Sequence, residues 1–417
     1  MRNTLLRDKS LYRCLFSLYP EKGGIPMSIG QLPKLPDYDN CLVNLANSVL
    51  DKFGVQTTAP TLPLADRYLT ADRRNVVVLI LDAMGTSIIE KHLDKDGFFR
   101  SHFAGSFDSV YPPTTVAATT SLISGLYPDE HGWLGWDMYY PQLDKNVTVF
   151  LNTDQMAEKE NTVPAAPGEW DRDSIAESAP AADYHAGYTF TPYKSVIDKI
   201  NDAGGQAYYS MPFMPPFPKD PDAIFERIAE LCEQPGRKYI YAYWNEPDTT
   251  MHKTGTESSD THEMVRSLEK KAEEYISRLS DTLFIITADH GHMDSNNLCI
   301  LDYPEITDCL VRLPSIEPRT LNMFVKEERR EDFPVLFRKA FGDKFVLLTR
   351  EEVLSTRLFG IGNDRDGFAD MIGDFVAVAV SDTSVFNTHY EAQIMPGGHA
   401  GLTPEEYTVP LIVIDRE

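Results

Sequence analysis

The chain has 417 residues, which is enough for a large α/β domain and a smaller one. Its formal net charge is −24, and such an acidic surface repels nucleic-acid backbones and anionic lipids, so we expect no polymeric nucleic acid bound through a basic patch. No apolar run approaches the roughly 20 residues that a membrane span needs. The hydrophobic content of 42% is typical of a folded globular protein rather than a disordered acidic chain.

The N-terminal segment and the cysteines give no sign of export. Residues 1–24 are positively charged but lack an unbroken apolar stretch and a small-residue cleavage site. The five cysteines are scattered without a CxxC pair, which suggests neither a disulfide framework nor a zinc knuckle. We therefore predict a cytoplasmic protein. The sequence leaves open its oligomeric state and whether Met1 or Met27 is the true start.

Five short apolar runs predict buried strands. They are continuous rather than alternating, and rich in β-branched and aromatic residues, as in a parallel sheet that is covered on both faces. Helical patterns lie between them, at 192–203 with Thr191 as a candidate cap, at 221–233 with Asp220 as cap, and at 258–279. This alternation predicts a doubly wound, mostly parallel α/β sheet between helices. The runs are 76–81, 239–244, 283–286, 375–380 and 410–414.

Two segments interrupt this alternation. Residues 140–190 are polar and rich in Ala, Pro and Asp, which predicts a surface excursion. Residues 315–372 have a strand–helix–strand pattern of their own, with a helix near 332–341, which predicts a small inserted α/β lobe. We predict three parts, namely an N-terminal extension with a helical segment at 1–70, a core at 71–314 and 373–417, and the inserted lobe at 315–372.

Acidic residues and histidines follow the predicted strands. Ligands of open α/β sheets bind beyond the carboxyl ends of the strands, so these side chains are candidates for one site. Each alone is equally typical of a helix cap or a structural histidine. As a set, three Asp and three His offer the oxygen and nitrogen ligands that suit Zn²⁺, with Mn²⁺ or another divalent ion as alternatives. The residues are Asp82, Asp248, His252, Asp289, His290 and His399.

A threonine-rich segment offers a nucleophile. Two prolines precede Thr114 and Thr115, and Gly125 is a plausible helix end, which predicts a helix that begins at the threonines. A helix N-terminus favours an anion such as phosphate. The alternative is a simple threonine cap, which we favour for Thr114. A threonine hydroxyl becomes a useful nucleophile only when a metal or base activates it.

These residues lie in five blocks that resemble the alkaline phosphatase superfamily, most closely its nucleotide pyrophosphatase/phosphodiesterase branch. The blocks occur in the family's order over residues 79–401. The block that ends in SGLYPDEHG is specific by itself, and the short blocks are specific as a set. The resemblance implies an alkaline phosphatase-like core and two-metal hydrolysis of phosphate esters. The blocks are LILDAMG (79–85), PPTTVAATTSLISGLYPDEHG (112–132), NEPDTTMH (245–252), TADHGH (287–292) and GGHAG (397–401).

The resemblance also implies a role for each residue. The family's nucleophile lies ten residues before the glycine of its TGLYP-like segment, here Gly125, which implies Thr115 and a phospho-threonine intermediate. It implies two divalent metal ions, with Zn²⁺ preferred, and a small phosphate-ester substrate. One ion would be held by Asp82, Asp289, His290 and the Thr115 hydroxyl, and the other by Asp248, His252 and His399.

One departure from the family bears on substrate binding. The family's asparagine that helps to hold a phosphate oxygen is replaced by Trp136, so transition-state charge is left to the metals and the Val116 backbone N–H. Trp136, Tyr139 and Phe213 are candidates to line the substrate groove, with ordinary core packing as the alternative. His131 is expected to be a structural loop residue. His292 is expected to lie behind the ligands, with metal binding in some states as the alternative.

Other activities on the same scaffold stay open at this stage. A phosphomonoesterase, a phosphonate hydrolase, a phosphomutase and a non-catalytic metal- or phosphate-binding relative are the alternatives. The sulfatase signature is absent around Thr115, and mutases that resemble residues 397–413 use serine as the nucleophile. The filled ligand positions favour an enzyme over the non-catalytic relative.

Overall fold

The structure, a computed structural model, describes residues 32–155 and 178–417. The choice between Met1 and Met27 and part of the predicted 140–190 excursion lie outside these residues. The strands are β1 (Asn75–Leu81), β2 (Phe103–Asp108), β3 (Asp137–Tyr140), β4 (Lys145–Thr148), β5 (Thr153–Asp154), β6 (Ala207–Ser210), β7 (Lys238–Trp244), β8 (Thr282–Thr287), β9 (Met293–Asp294), β10 (Asn296–Cys299), β11 (Ser315–Glu317), β12 (Thr320–Met323), β13 (Phe345–Thr349), β14 (Phe375–Ala379), β15 (Thr383–Phe386), β16 (Gly397–Gly398) and β17 (Thr408–Arg416).

The helices connect these strands and flank the sheets. Most are short, and α11 is the longest within the described ranges. No helix in residues 32–155 or 178–417 combines the length and the apolar character that crossing a bilayer requires. The helices are α1 (Leu42–Lys52), α2 (Pro63–Leu69), α3 (Thr86–His92), α4 (Phe98–Ser101), α5 (Thr115–Ser124), α6 (Pro128–His131), α7 (Ala186–Phe190), α8 (Val196–Asp202), α9 (Pro221–Glu233), α10 (Asp248–Thr254), α11 (Ser259–Ile276), α12 (Pro304–Thr307), α13 (Phe333–Phe341), α14 (Arg350–Thr356), α15 (Phe368–Met371), α16 (His389–Ile394) and α17 (Pro404–Tyr407).

A six-stranded sheet forms the centre of the molecule, in the order β2-β17-β8-β1-β7-β6. β1 runs parallel to β7 and β8, and β6 runs parallel to β7, whereas β17 is antiparallel to both of its neighbours. Every residue of β1 and β8 is buried, because the sheet is covered on both faces. The mostly parallel α/β fold predicted from the continuous apolar runs is therefore confirmed.

A second sheet of seven antiparallel strands stands beside the first, in the order β13-β14-β12-β11-β3-β4-β5. Residues 315–372, predicted as an inserted lobe, supply β11, β12 and β13, while the other strands come from 137–154 and 375–379. The run at 375–380 was predicted for the parallel sheet, and that prediction is wrong, since β14 pairs antiparallel with β12 and β13. A continuous apolar run indicates burial on both faces but does not identify the sheet.

Helix α13 packs against the second sheet through a row of phenylalanine side chains. Phe333, Phe337 and Phe341 of α13 are spaced by four residues, so they lie on one side of the helix. All three are buried in a cluster with Phe345 and Phe375. The helix predicted near 332–341 is therefore present, and it covers one face of the sheet.

The two predicted helix caps, Asp220 and Thr191, have different outcomes. Asp220 caps α9 through the Ala223 N–H at 2.8 Å, as expected. The start predicted at Thr191 is wrong, because α8 begins after Ser195, whose hydroxyl accepts from the Asp198 N–H. The Ser195–Asp198 pair forms a capping box, which fixes the helix start more strongly than a lone threonine.

A buried ion pair joins the second sheet to the loop that carries His399. The Arg319 guanidinium donates to both carboxylate oxygens of Glu406, at 2.6 and 3.0 Å, and both side chains are fully buried. Glu406 also accepts from the backbone N–H of Gly401 at 2.6 Å. The pair therefore fixes the His399 loop against the second sheet.

We expect Arg319→Met to destabilise the protein by about 3–5 kcal/mol, because it leaves the Glu406 carboxylate buried without its partner. Urea unfolding followed by circular dichroism measures the change. The control is Arg266→Met, which breaks the exposed Arg266–Asp94 pair and should leave the unfolding midpoint unchanged. Equal midpoints for the two variants would contradict the role given to Arg319.

Candidate active site

The carboxyl ends of three parallel strands bring the acidic residues together. Leu81 of β1 lies opposite Trp244 of β7, and β1 and β8 end together in the same register. The chain therefore leaves all three strands at one edge. The Asp248 N–H donates to the Asp82 carbonyl at 3.2 Å, which ties the first two strand ends directly.

The first cluster consists of Asp82, Asp289 and His290, whose ligand atoms all lie within 4.8 Å of one another. His290 Nε2 is 3.3 Å from Asp82 Oδ1 and 3.2 Å from the Thr115 hydroxyl oxygen. His290 Nδ1 donates to the Gly291 carbonyl at 2.9 Å, so Nε2 presents its lone pair to the cluster. Thr115 thus lies against the cluster to which the family resemblance assigned it.

The turn after β8 depends on a close approach between backbones. A Cβ on Gly291 would lie 2.0 Å from the Glu405 carbonyl oxygen, so only glycine fits. Gly291 therefore serves this turn by its small size. Ala83, after β1, is the residue that takes a left-handed conformation, with φ of 58°, and its N–H donates to Asp289 Oδ1 at 3.1 Å.

The second cluster surrounds Asp248. Its Oδ1 is 3.4 Å from His252 Nε2, one helical turn later on α10, and 3.8 Å from His399 Nε2. The structure adds His292, whose Nε2 is 3.6 Å from the same oxygen. His290 and His399 stack with ring centroids 4.0 Å apart, so the two clusters are contiguous.

These clusters have the properties of cation sites. Asp82 Oδ1, Asp248 Oδ1 and Asp289 Oδ2 are buried and have no hydrogen-bond partner among the described residues. Buried carboxylate oxygens without partners are costly, and a cation bound between them and the neighbouring imidazoles would remove that cost. The residues therefore fit two divalent ions, whose identity the donor atoms do not fix.

Burial shifts the pKa values of Asp82, Asp248 and His252 toward their neutral forms. Desolvation, followed by the charge of Asp289, raises the pKa of Asp82 well above its usual range. Desolvation raises the pKa of Asp248 to about 7 and lowers that of His252 to about 4. A neutral imidazole is the form that binds a metal, whereas a bound cation favours the ionised form of the Asp82 and Asp248 carboxyl groups.

Thr115 is the first residue of α5, which ends at Gly125 in a left-handed conformation, as predicted. Thr114 takes the N-cap position, as predicted. Its hydroxyl makes no capping bond and donates instead to Glu317 Oε1 at 2.6 Å. The Trp136 N–H donates to the same oxygen at 2.9 Å, so Glu317 of β11 joins the start of α5 to the following loop.

The substrate-contact candidates lie in different surroundings. The Val116 side chain is buried in a small cluster around Trp133, while its N–H is near the start of α5. Trp136 and Phe213 are exposed, at 43% and 63%. Tyr139 packs between Phe324 and the Arg312 guanidinium and donates to Asp144, which indicates a structural role on the second sheet. The contacts of these four residues with substrate stay predictions.

Comparison with known families gives one match that spans most of the chain. The sequence profile described as type I phosphodiesterase / nucleotide pyrophosphatase matches residues 76–401. The chain belongs to this family. It is accordingly a metal-dependent phosphoric ester hydrolase, and the predicted placement in the alkaline phosphatase superfamily is confirmed. Comparison with curated protein sequences gives no match.

Solved structures with the same fold share little sequence with this phosphodiesterase-family chain. Murine ectonucleotide pyrophosphatase/phosphodiesterase 5 superposes with a TM-score of 0.58 at 16% identity, over 81% of this chain and 87% of the murine chain. An inactive threonine-to-alanine variant of that protein in complex with AMP aligns at 15% identity with a TM-score of 0.58, over 82% and 87%. Phosphonoacetate hydrolase from Sinorhizobium meliloti 1021, with phosphonoformate, gives 0.56 at 15% identity over 83% and 91%.

Sequence patterns did not identify two residues at the site of this phosphodiesterase-family chain. The Tyr243 hydroxyl donates to Asp82 Oδ2, and Glu317 contacts the residue before Thr115. Tyr243 lies in an apolar strand and Glu317 in the second sheet, so no local motif marks them. His292, which the sequence placed behind the ligands, lies beside Asp248.

We expect Tyr243→Phe to weaken metal binding by about 10- to 100-fold, because Asp82 loses the hydroxyl that orients its carboxylate. The ring volume is kept, so the fold should be intact. Competition with a chromogenic chelator measures the affinity. Tyr241→Phe is the matched control, since Tyr241 is buried on the same strand and its hydroxyl has no partner among the described residues. Equal affinities in both variants would contradict the prediction.

Proposed function

We propose that this protein hydrolyses phosphodiester or pyrophosphate bonds of a small substrate through a phospho-Thr115 intermediate, with two divalent ions, of which Zn²⁺ best suits the donors. The observation that supports this most strongly is the Thr115 hydroxyl, 3.2 Å from His290 Nε2, beside buried carboxylate oxygens without partners. The inactive threonine-to-alanine variant of the murine relative supports a threonine nucleophile. The six predicted ligands and Thr115 serve as the proposed metal site.

The chemistry of this chain's residues follows from their positions. Thr115 Oγ1 forms a bond to phosphorus while the bond from phosphorus to the leaving-group oxygen breaks, which gives a phosphorylated threonine. Water then displaces Thr115 Oγ1 and releases the phosphate product. The Val116 N–H, in the first turn of α5, has no acceptor within the helix and is available to a phosphate oxygen. Two bound ions would supply Lewis-acid stabilisation of the charge that develops on the phosphoryl group.

The family profile favours a diester over a monoester substrate. The profile that matches residues 76–401 describes type I phosphodiesterases and nucleotide pyrophosphatases. This supports the diester among the activities that the family scaffold allows.

Parallel assays test the proposal. The metal-loaded protein is given bis-p-nitrophenyl phosphate, p-nitrophenyl phosphate and a p-nitrophenyl phosphonate ester, and initial rates are compared. We expect the diester to be hydrolysed fastest. A preference for the monoester or the phosphonate would support a phosphatase or phosphonate hydrolase instead. No hydrolysis of any of them by protein with two bound ions would favour a binding function.

A further inference from the structure

His292 is a buried histidine outside the predicted ligand set. Its side chain is inaccessible to solvent, yet neither Nδ1 nor Nε2 has a hydrogen-bond partner among the described residues. Folded proteins normally avoid burying a polar atom without a partner, because its lost hydration is not replaced. The two ring nitrogens therefore need a partner other than the described protein atoms.

The His292 ring lies beside a carboxylate oxygen that also has no hydrogen-bond partner. His292 Nε2 is 3.6 Å from Asp248 Oδ1, which also has no partner, and that oxygen is 3.4 Å from His252 Nε2. The three ligand atoms lie within 4.8 Å of one another. His252 Nδ1 donates to the Gly397 carbonyl at 3.0 Å, which leaves the Nε2 lone pair directed at this space. Such a convergence of nitrogen and oxygen donors is typical of a zinc site.

The backbone holds the His292 ring in place. β9 and β16 form a short antiparallel pair in which Met293 lies opposite Gly398. His292 and His399 are the next residues at the same end of this pair, and their ring centroids are 5.6 Å apart. A Cβ on Gly397 would lie 2.5 Å from His292 Cε1, so the ring packs directly on that glycine. The same glycine positions His252, and one segment therefore orients all three imidazoles toward Asp248.

We propose that His292 is a fourth protein ligand of the metal ion held by Asp248, His252 and His399. This inference rests on the proposed function for the presence of that ion. Three imidazoles and one carboxylate would give this ion four protein ligands, the number that zinc usually takes. The ion at Asp82, Asp289 and His290 has three such ligands and needs the Thr115 hydroxyl or another group as its fourth. The Asp248 site therefore binds its ion more tightly and fills first.

Metal titration of the full chain tests this without an activity assay. Metal-free protein is titrated with Zn²⁺ against a chromogenic chelator, and separately with Co²⁺ while the visible absorption is followed. The variants are His292→Met, which keeps the side-chain size, and His292→Asn, which serves if the first is unstable. His252→Ala is the positive control. His92→Gln is the negative control, because His92 is a buried histidine that contacts the Thr256 carbonyl.

We expect two Zn²⁺ sites of different affinity in the unaltered chain. Substitution of His292 should weaken the tighter site by at least about tenfold and change the absorption of the first Co²⁺ equivalent, as His252→Ala does. His92→Gln should change neither. Unchanged affinity and absorption in both His292 variants would overturn the inference while leaving the two-metal proposal intact. A chain that binds no Zn²⁺ at all would overturn the proposed function itself.

Discussion

Thr115→Ala should lower the rate of diester hydrolysis by at least about 10³-fold, because it removes the oxygen that attacks phosphorus in the first step of the proposed mechanism. The Thr115 hydroxyl lies 3.2 Å from His290 Nε2, and alanine suits a helical position, so the variant should fold. Metal content should stay close to that of the unaltered protein, since at least three protein ligands per ion remain. Initial rates with bis-p-nitrophenyl phosphate and elemental analysis of dialysed protein measure the two quantities.

Two further variants isolate the role of the Thr115 oxygen. Thr115→Ser keeps the hydroxyl and should retain most of the activity, and acid quenching during turnover should trap a phosphorylated residue at this position. Thr114→Ala loses only the bond to Glu317 and should reduce the rate far less than Thr115→Ala. If Thr115→Ala kept its full hydrolytic rate, Thr115 would not be the nucleophile.

The predicted acidic ligands lie together because each follows an apolar run that forms a strand of the central sheet. The runs that form most of β1, β7 and β8 are continuously apolar, so their strand character was predictable, whereas the sheet that each run joins was not. Side chains that follow parallel neighbours must gather at one edge. The presence of Asp82, Asp248 and Asp289 there follows from this rule, whereas the choice of Thr115 over Thr114 needed the family resemblance.

The contacts that the sequence did not predict arise from pairing between distant segments. Glu317 reaches the start of α5 because β11 pairs with β3, so Ile316 lies opposite Asp137. Tyr243 contacts Asp82 because β7 and β1 are in a register that no local pattern fixes. Both contacts depend on how two separate segments align, and a period of two or of 3.6 residues carries no information on that alignment.

The second large effect is expected from metal removal. Dialysis against a chelator should abolish hydrolysis, a fall of about 10³-fold or more, because several kcal/mol of transition-state stabilisation is lost. The folded protein should also lose stability. Ions present at about 1,000 times their dissociation constant stabilise the folded state by about 4 kcal/mol per site, and this contribution disappears with them. Thermal unfolding with and without added Zn²⁺ measures the loss.

The stability lost on metal removal should grow with pH. Burial raises the pKa of Asp82 and of Asp248, the latter to about 7, so in metal-free protein their favourable contribution is present at low pH and is lost as pH rises through these values. Burial lowers the pKa of His252 and of His399, which acts in the opposite direction, but only below their ordinary value of 6.5. From about pH 6.5 up to the folded-state pKa of Asp248 at about 7, the carboxyl groups therefore dominate.

The unfolding temperature of metal-free protein should accordingly fall over that interval, whereas that of Zn²⁺-loaded protein should fall less, because the bound ions stabilise the ionised carboxylates. Asp248→Asn removes one of the two groups and should flatten the metal-free profile. Arg266→Met, which changes only an exposed ion pair, should leave the slope as it is. Parallel profiles for the metal-free and metal-loaded chain would mean that these carboxylates do not hold the ions. A carboxylate that holds a cation must ionise to do so, and this makes the stabilisation by the bound ion increase with pH.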